Sequence, residues 1–250
     1  TTHYEENGKG LVRTDYDTPY GNLHTIDEPA GFTSWHRKHL FSGPEDYRKL
    51  VFMVDDEQYE ANYGPFIEAE KWLGGDVSLR GGIGSEPLQT LISGWMGTER
   101  FCFEWMERRD EVQKLYEALV RAARRRYPLL ADSPCRYFNY GGNVTVEVIG
   151  PKVFAEYYVP HYQEAAEALH KTGKFVGSHH DGNCKVLAPQ IARTDLDYIE
   201  AFTPAPDTDL SLAEAIAAWP GKAIWINFPS SVHLASEEKI AQTTRDLLEA

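Results

Sequence analysis

Hydrophobic and polar positions change rhythm along this chain. Over residues 1–35 short alternating runs are broken by "NGKG" and "PYGN". Alternation punctuated by Asn-Gly and Pro-x-Gly is the pattern of antiparallel hairpins. From about residue 44 the period lengthens, and "SGPEDYRKLVFMVDDEQYEANYGPFIEAEKWLGG" predicts two helices, with Ser42 and Pro44 as start signals and Gly74–Gly75 as a stop.

Beyond residue 76 strand-like and helix-like segments take turns. "DVSLRGGIG" is strand-like and "SEPLQTLISGWMG" helical, followed by one long helical run from "ERFCFEWMERR" to "RRRYPLL". "CRYFNYGGN", "KFVGSHHDGN", "LDYIEAFTP" and "KAIWINFPS" are strands, each followed by a helical pattern. Strands alternating with helices predict a parallel sheet, and right-handed crossovers curl it into an open doubly wound sheet or a barrel. The expected organisation is one domain over 1–250, with a hairpin extension at 1–35 and strand–helix repeats over 76–250.

Composition narrows the class. Of 250 residues, 42% are hydrophobic, enough for a sizeable core, and the net charge is −13. That balance argues against a nucleic-acid or anionic-membrane surface, where clustered cations are expected. Three cysteines without a C-x-x-C pair suit a reducing, cytoplasmic setting better than a disulfide framework. No run of about 18 apolar residues marks a membrane span. The chain starts at Thr1 and ends at Ala250 inside a helical pattern, so both ends are expected to be cut. "RGGIGSEP" lacks the spacing of a phosphate-binding loop, and no nucleophile elbow or H-E-x-x-H helix occurs.

Candidate chemistry gathers at the predicted strand ends, where parallel α/β folds place their sites. One strand ends at Arg80, and the next carries Asn139, Tyr140 and Asn143. A third ends in His179, His180 and Asp181, the fourth holds Glu200, and the last has Asn227 with His233 in the loop beyond. Glu200 stands inside the apolar "YIEAF", where a carboxylate is costly unless paired or metal-bound. His179 and His180 are adjacent, so on a strand they point to opposite sides. His179, Asp181, Glu200 and His233 could supply three ligands to zinc, which accepts nitrogen and oxygen donors. The same groups could instead do metal-free acid–base work.

The segment from "VIGPKVFAEYYVPHYQEAAEALHKTGKFVGSHHDGN" through "DYIEAFTPAPDTDLSLAEAIAAWPGKAIWINFP" to "SEEKIAQTTRDLLEA" resembles the uroporphyrinogen decarboxylase superfamily. "YDTPYGNLHTIDEPAGFTSWHRKHLFSGPEDYRKL" resembles its corrinoid and coenzyme M methyltransferase branch, with a hairpin insertion before a helix. The resemblance covers most of the chain and is most specific over 143–250. It implies a TIM (β/α)8-type barrel, here truncated at both ends, with an N-terminal β-hairpin insertion.

The branch resembled carries an H-x-C-G-N segment whose His and Cys bind zinc, with a second Cys after a later strand. Here His179 matches, Asp181 stands at the Cys position, and the later Cys falls near Ser230. The resemblance implies a methyltransferase moving a methyl group between a small methylated substrate, such as a methyl ether of O-demethylase type, and a thiol or a corrinoid carried by a partner protein. Its expected site has His179, Asp181, Glu200 and Tyr140 as catalytic residues. Asn143, Glu147, His180, Asn227 and Arg80 are expected to bind substrate, and a zinc would rest on His179, Asp181, Glu200 and His233. No nucleic acid or membrane partner is expected, and a homo-oligomer is compatible with the fold. The alternatives are decarboxylation of a porphyrinogen-like acid and a non-catalytic ligand-binding barrel.

Overall fold

The computed structural model describes residues 1–250, which group into two compact units: Thr1–Tyr59 with Pro87–Arg125, and Glu60–Glu86 with Arg126–Ala250. The first unit opens with strands β1 (Thr2–Glu6), β2 (Lys9–Thr18), β3 (Gly21–Ala30) and β4 (Thr33–Lys38) in a four-stranded sheet of that order. All pairings are antiparallel, as the hairpin signals predict. The β1–β2 turn uses Asn7 and Gly8 at φ 52° and 77°, the two left-handed positions of a tight primed turn.

Helix α1 (Tyr47–Asp56) follows a 3₁₀ turn begun by Pro44 and turns Tyr47, Leu50 and Val54 inward. "SEPLQTLISGWM" forms a short α3 (Pro87–Gln89) that widens into a π-helical stretch over Thr90–Met96 and stops at Gly97, φ 76°. The long run expected as one helix is broken. Arg108 leaves helical geometry at φ −135°, dividing α4 (Thr98–Glu107) from α5 (Arg109–Asp132). Its guanidinium turns back to the buried Glu104 at 3.3 Å. Val54 of α1 packs on Ala118 and Ala122 of α5.

The second unit carries α2 (Gly64–Leu73) and five strands: β5 (Arg80–Gly84), β6 (Tyr137–Tyr140), β7 (Phe175–His179), β8 (Tyr198–Phe202) and β9 (Ala223–Ile226). They lie parallel in chain order, β5-β6-β7-β8-β9, which is the order the strand–helix alternation predicts. The sheet is not closed into a barrel, since β5 and β9 each have one neighbour. Between the strands run α6 (Val146–Tyr157), α7 (Val159–His170), α8 (Ala188–Ala192) and α9 (Leu212–Ala218), and α10 (Glu237–Glu249) comes last. Helix α6 kinks at Gly150–Pro151, because Gly150 takes φ 63° and Pro151 offers no N–H.

Strand alternation gives this sheet two faces. Phe138, Tyr140, Val176, Ser178 and Ile199 share one face and are buried. Tyr140 meets the ring of Tyr162 from α7 edge-on, 5.8 Å between centroids. The other face carries Tyr137, Asn139, Phe175, Gly177, His179, Tyr198 and Glu200, and is more open. There Tyr137 stacks on Phe175 and Tyr198 on Trp225, at 5.4 and 4.8 Å. The amino ends of β7 and β9 share a device. A glycine at positive φ (Gly173, 72°; Gly221, 85°) precedes a lysine. Lys174 donates to the carbonyls of Ser133 and Cys135 at 2.5 and 2.9 Å. Lys222 donates to those of Thr194 and Leu196 at 2.6 and 2.8 Å.

Candidate active site

His179 is the last residue of β7 and lies in register with Glu200 of β8, so both side chains rise from the open face. The His179 Nδ1 is 2.7 Å from a Glu200 oxygen. Its Nε2 is 3.3 Å from Asp181, two residues on in the loop. Glu200 also meets the Arg80 guanidinium at 3.0 Å and accepts from the Asn139 side-chain amide at 3.2 Å. One carboxylate thus receives three side-chain donors from three other strands, which explains how it is tolerated in an apolar strand.

The charges follow. Hydrogen bonding to Asp181, with further support from Glu200, outweighs burial and pushes His179 up to about 9. Burial pushes Glu200 upward, but the donors His179 and Arg80 take it below the ordinary carboxylate range. The bond from His179 likewise lowers Asp181. The imidazole is therefore an imidazolium at neutral pH, clasped between two carboxylates. Glu200 is partly buried and Asp181 half exposed, so the Nδ1 side is fixed and the Nε2 side opens outward.

Of the predicted site residues, His179, Asp181, Glu200 and Arg80 come together. Arg80 corrects one detail: it begins β5, instead of ending the strand, and reaches across the sheet. His180 points the other way. It is buried, its Nε2 has no partner, and burial followed by the charge of His179 pushes it down to about 4. Tyr140 is likewise on the buried face, its hydroxyl 3.4 Å from that of Tyr127, and does not join the cluster. Asn143 sits in the following loop at φ 42°, and its carbonyl accepts from the Thr145 hydroxyl. Glu147 lies in the first turn of α6 and accepts from Asn183 at 2.9 Å. Asn227 bonds the Ala201 carbonyl at 3.0 Å, supporting the turn after β8.

The zinc set is not assembled. His233 lies in the 3₁₀ turn Ser230–Leu234 with its ring 5.0 Å from Phe228. No three His, Cys, Asp or Glu side chains converge to hold a metal ion. Both ring nitrogens of His179 face carboxylates, Glu200 at Nδ1 and Asp181 at Nε2.

Strand parity separates Asn139 from Tyr140, since Asn139 pairs with Gly177 and so shares the face of His179. Gly177 itself is required there, because a Cβ would stand 2.0 Å from the Tyr198 ring. Glu86, just past β5, is fully buried and accepts from the Tyr162 hydroxyl at 2.5 Å. A cleft of about 570 Å³ in the first unit, lined by Tyr20, Arg48, Phe52 and Arg121 among others, holds none of these groups.

Residues 34–250 match the family model described as Uroporphyrinogen decarboxylase (URO-D). No functionally curated protein matches the chain. Among solved structures the fold is similar to a methyltransferase from Methanosarcina mazei, with a TM-score of 0.56 and 11% identity, over 87% of this chain and 63% of that one. The chain thus spans somewhat less than two thirds of that protein's length. No helix is long and apolar enough to cross a membrane.

Proposed function

The chain belongs to the uroporphyrinogen decarboxylase (URO-D) family, and from that premise we propose that it is an enzyme of the family's methyltransferase-like branch, acting on a small methylated molecule at the open face of β5–β9. The observation that carries this reading is the imidazolium of His179 held between Glu200 and Asp181. The fold likeness to a protein named a methyltransferase is compatible with it. Removing a methyl group from an ether or amine breaks a carbon–heteroatom bond, and the heteroatom leaves well only if it gains a proton.

His179 supplies that proton. Glu200, itself fixed by Arg80 and Asn139, orients the ring through Nδ1, as a buried carboxylate orients an acid–base histidine. The Nε2 proton, exchanged from Asp181 to the substrate, passes to the departing oxygen or nitrogen. His179 is left neutral and regains a proton from water. The methyl group would pass to an acceptor, a thiol or a corrinoid held by a separate protein, as its bond to the oxygen or nitrogen breaks. The aromatic rings of Tyr198 and Trp225 border the same face and exclude water from an apolar substrate.

Porphyrinogen decarboxylation is the rival. The cluster sets two carboxylates against one guanidinium and one imidazolium, leaving no cationic surplus for a substrate bearing many carboxylates. Turnover of methyl ethers and methylamines, followed by methylation of cob(I)alamin or a thiol, tests the proposal. Turnover of uroporphyrinogen alone replaces it with the decarboxylase. Full activity of His179→Ala and Glu200→Ala in every assay moves the function away from this cluster.

A further inference from the structure

The cleft of the first unit takes no part in the mechanism above, and its walls are chemically uneven. Helices α1 and α5 meet where Val54 packs on Ala118 and Ala122. The cleft of about 570 Å³ is lined by Arg48, Val51, Phe52 and Asp55, which follow one another at i, i+3, i+4 and i+7 in a single stripe of α1. Glu111, Lys114 and Arg121 contribute from α5. Tyr20, in the turn between β2 and β3, adds a further wall. That turn is braced: the Tyr20 N–H donates to the Thr18 hydroxyl at 3.1 Å, which donates to the Gly21 carbonyl at 2.6 Å. The Tyr20 ring meets Phe52 edge-on, 5.7 Å between centroids. A volume of this size is that of a small-molecule site.

Most of the charges along the cleft are already spent. Arg121 meets both oxygens of Asp55 at 3.0 and 3.1 Å, and Lys114 meets Glu111 at 2.9 Å. Glu117 accepts from the Gln113 amide at 3.2 Å. Arg48 differs. Its guanidinium lies 3.6 Å from the centre of the Tyr20 ring instead of meeting a carboxylate. A guanidinium engaged through its face keeps its in-plane N–H donors for a two-pronged bond to an oxyanion.

We infer that this cleft is a binding site for a small aromatic monocarboxylate: the carboxylate takes the two-pronged bond from Arg48, and the ring lies against Phe52 and Val51. An aromatic body is favoured over an aliphatic one because ring-on-ring contacts add attraction beyond the area they bury. A single negative charge is favoured because Asp55, Glu111 and Glu117 line the same cleft and repel a second one. None of these residues belongs to the His179 cluster, so the site stands whether or not His179 acts in methyl transfer.

The test follows the intact chain by NMR during titration with phenylacetate, its neutral amide phenylacetamide, acetate and cyclohexylacetate. Phenylacetate is expected to shift the signals of Tyr20, Val51 and Phe52 saturably. Phenylacetamide lacks the charge and acetate lacks the ring, and each is expected to bind about tenfold more weakly. Arg48 is exposed, and Arg48→Gln is expected to lose about tenfold for phenylacetate and nothing for phenylacetamide. Arg48→Lys, which keeps the charge without the fork, is expected to fall between. Phe52→Leu is expected to weaken phenylacetate and spare cyclohexylacetate. Shifts that never saturate, a phenylacetate affinity that Arg48→Gln leaves unchanged, or cyclohexylacetate binding as tightly as phenylacetate each overturn the inference. So do Tyr20 and Phe52 signals that move with protein concentration alone, since the occupant is then a second copy of the chain.

Discussion

His179 and His180 are neighbours in sequence and opposites in environment. The first stands on the open face of the parallel sheet between Asp181 and Glu200 and is pushed up to about 9. The second enters the buried face beside Phe154 and Tyr162 and is pushed down to about 4. The side chain is the same and the two backbone positions are one residue apart. What differs is which face of a strand each occupies, and whether a carboxylate is there to receive a proton. Strand parity and the carboxylates on one face thus push two adjacent imidazoles in opposite directions.

The largest expected effect falls on the open face. His179→Ala should lower the proposed turnover by about 10²–10⁴-fold, the usual weight of a positioned proton donor, with the overall fold kept by circular dichroism. A loss of less than threefold would deprive the open face of its chemical role. Next comes Gly177→Ala, which drives a methyl group into the Tyr198 ring. Overpacking of this kind costs roughly 1–3 kcal/mol or more, seen as a lower urea midpoint. An unchanged midpoint would mean that Tyr198 moves freely and the face is not a fixed platform.

The pH dependence of stability sharpens the contrast between the two histidines. His179 has a raised folded pKa, so its contribution is fully present below the unfolded value near 6.5 and is lost as pH rises through 9. His180 has a depressed one, so the protein loses stability as pH falls from about 6.5 through 4. Each is expected to contribute about 1–3 kcal/mol. Denaturation at acid, neutral and alkaline pH should show the alkaline slope vanish in His179→Gln and the acid slope vanish in His180→Phe. A single variant that removed both slopes would show that the faces are not independent. The smallest effect is expected from Asp181→Asn. Asp181 is half exposed and screened by water, so His179 should titrate at lower pH while stability changes by less than about 1 kcal/mol.

The strand–helix alternation was legible because each parallel strand sits between turn signals and an amphipathic helix, and the Asn7–Gly8 pair announced its hairpin. Glu200 was legible because a carboxylate in "YIEAF" demands partners. Closure into a barrel came from resemblance instead of pattern, and the strands form an open sheet. Closeness to a strand end says nothing about face: register places Tyr140 with Ser178 on the buried face and Asn139 with Gly177 on the open one. His233 follows the last strand as the sequence pattern places it, and its 3₁₀ turn sets its ring against Phe228. Glu86 was hidden for a different reason. Its burial is created by Tyr162, 76 positions away, and by the missing Cβ of Gly141, neither of which a local pattern reveals.

The two glycine–lysine corners at the amino ends of β7 and β9 have a consequence of their own. Lys174 and Lys222 spend their ammonium protons on four backbone carbonyls. An ammonium held that way is slow to meet an acylating reagent, unlike the exposed Lys171 only three residues from Lys174. The chain therefore carries its own internal clock: each of these amines becomes labelled only when its corner of the sheet opens, while Lys171 reports the reagent's unhindered rate.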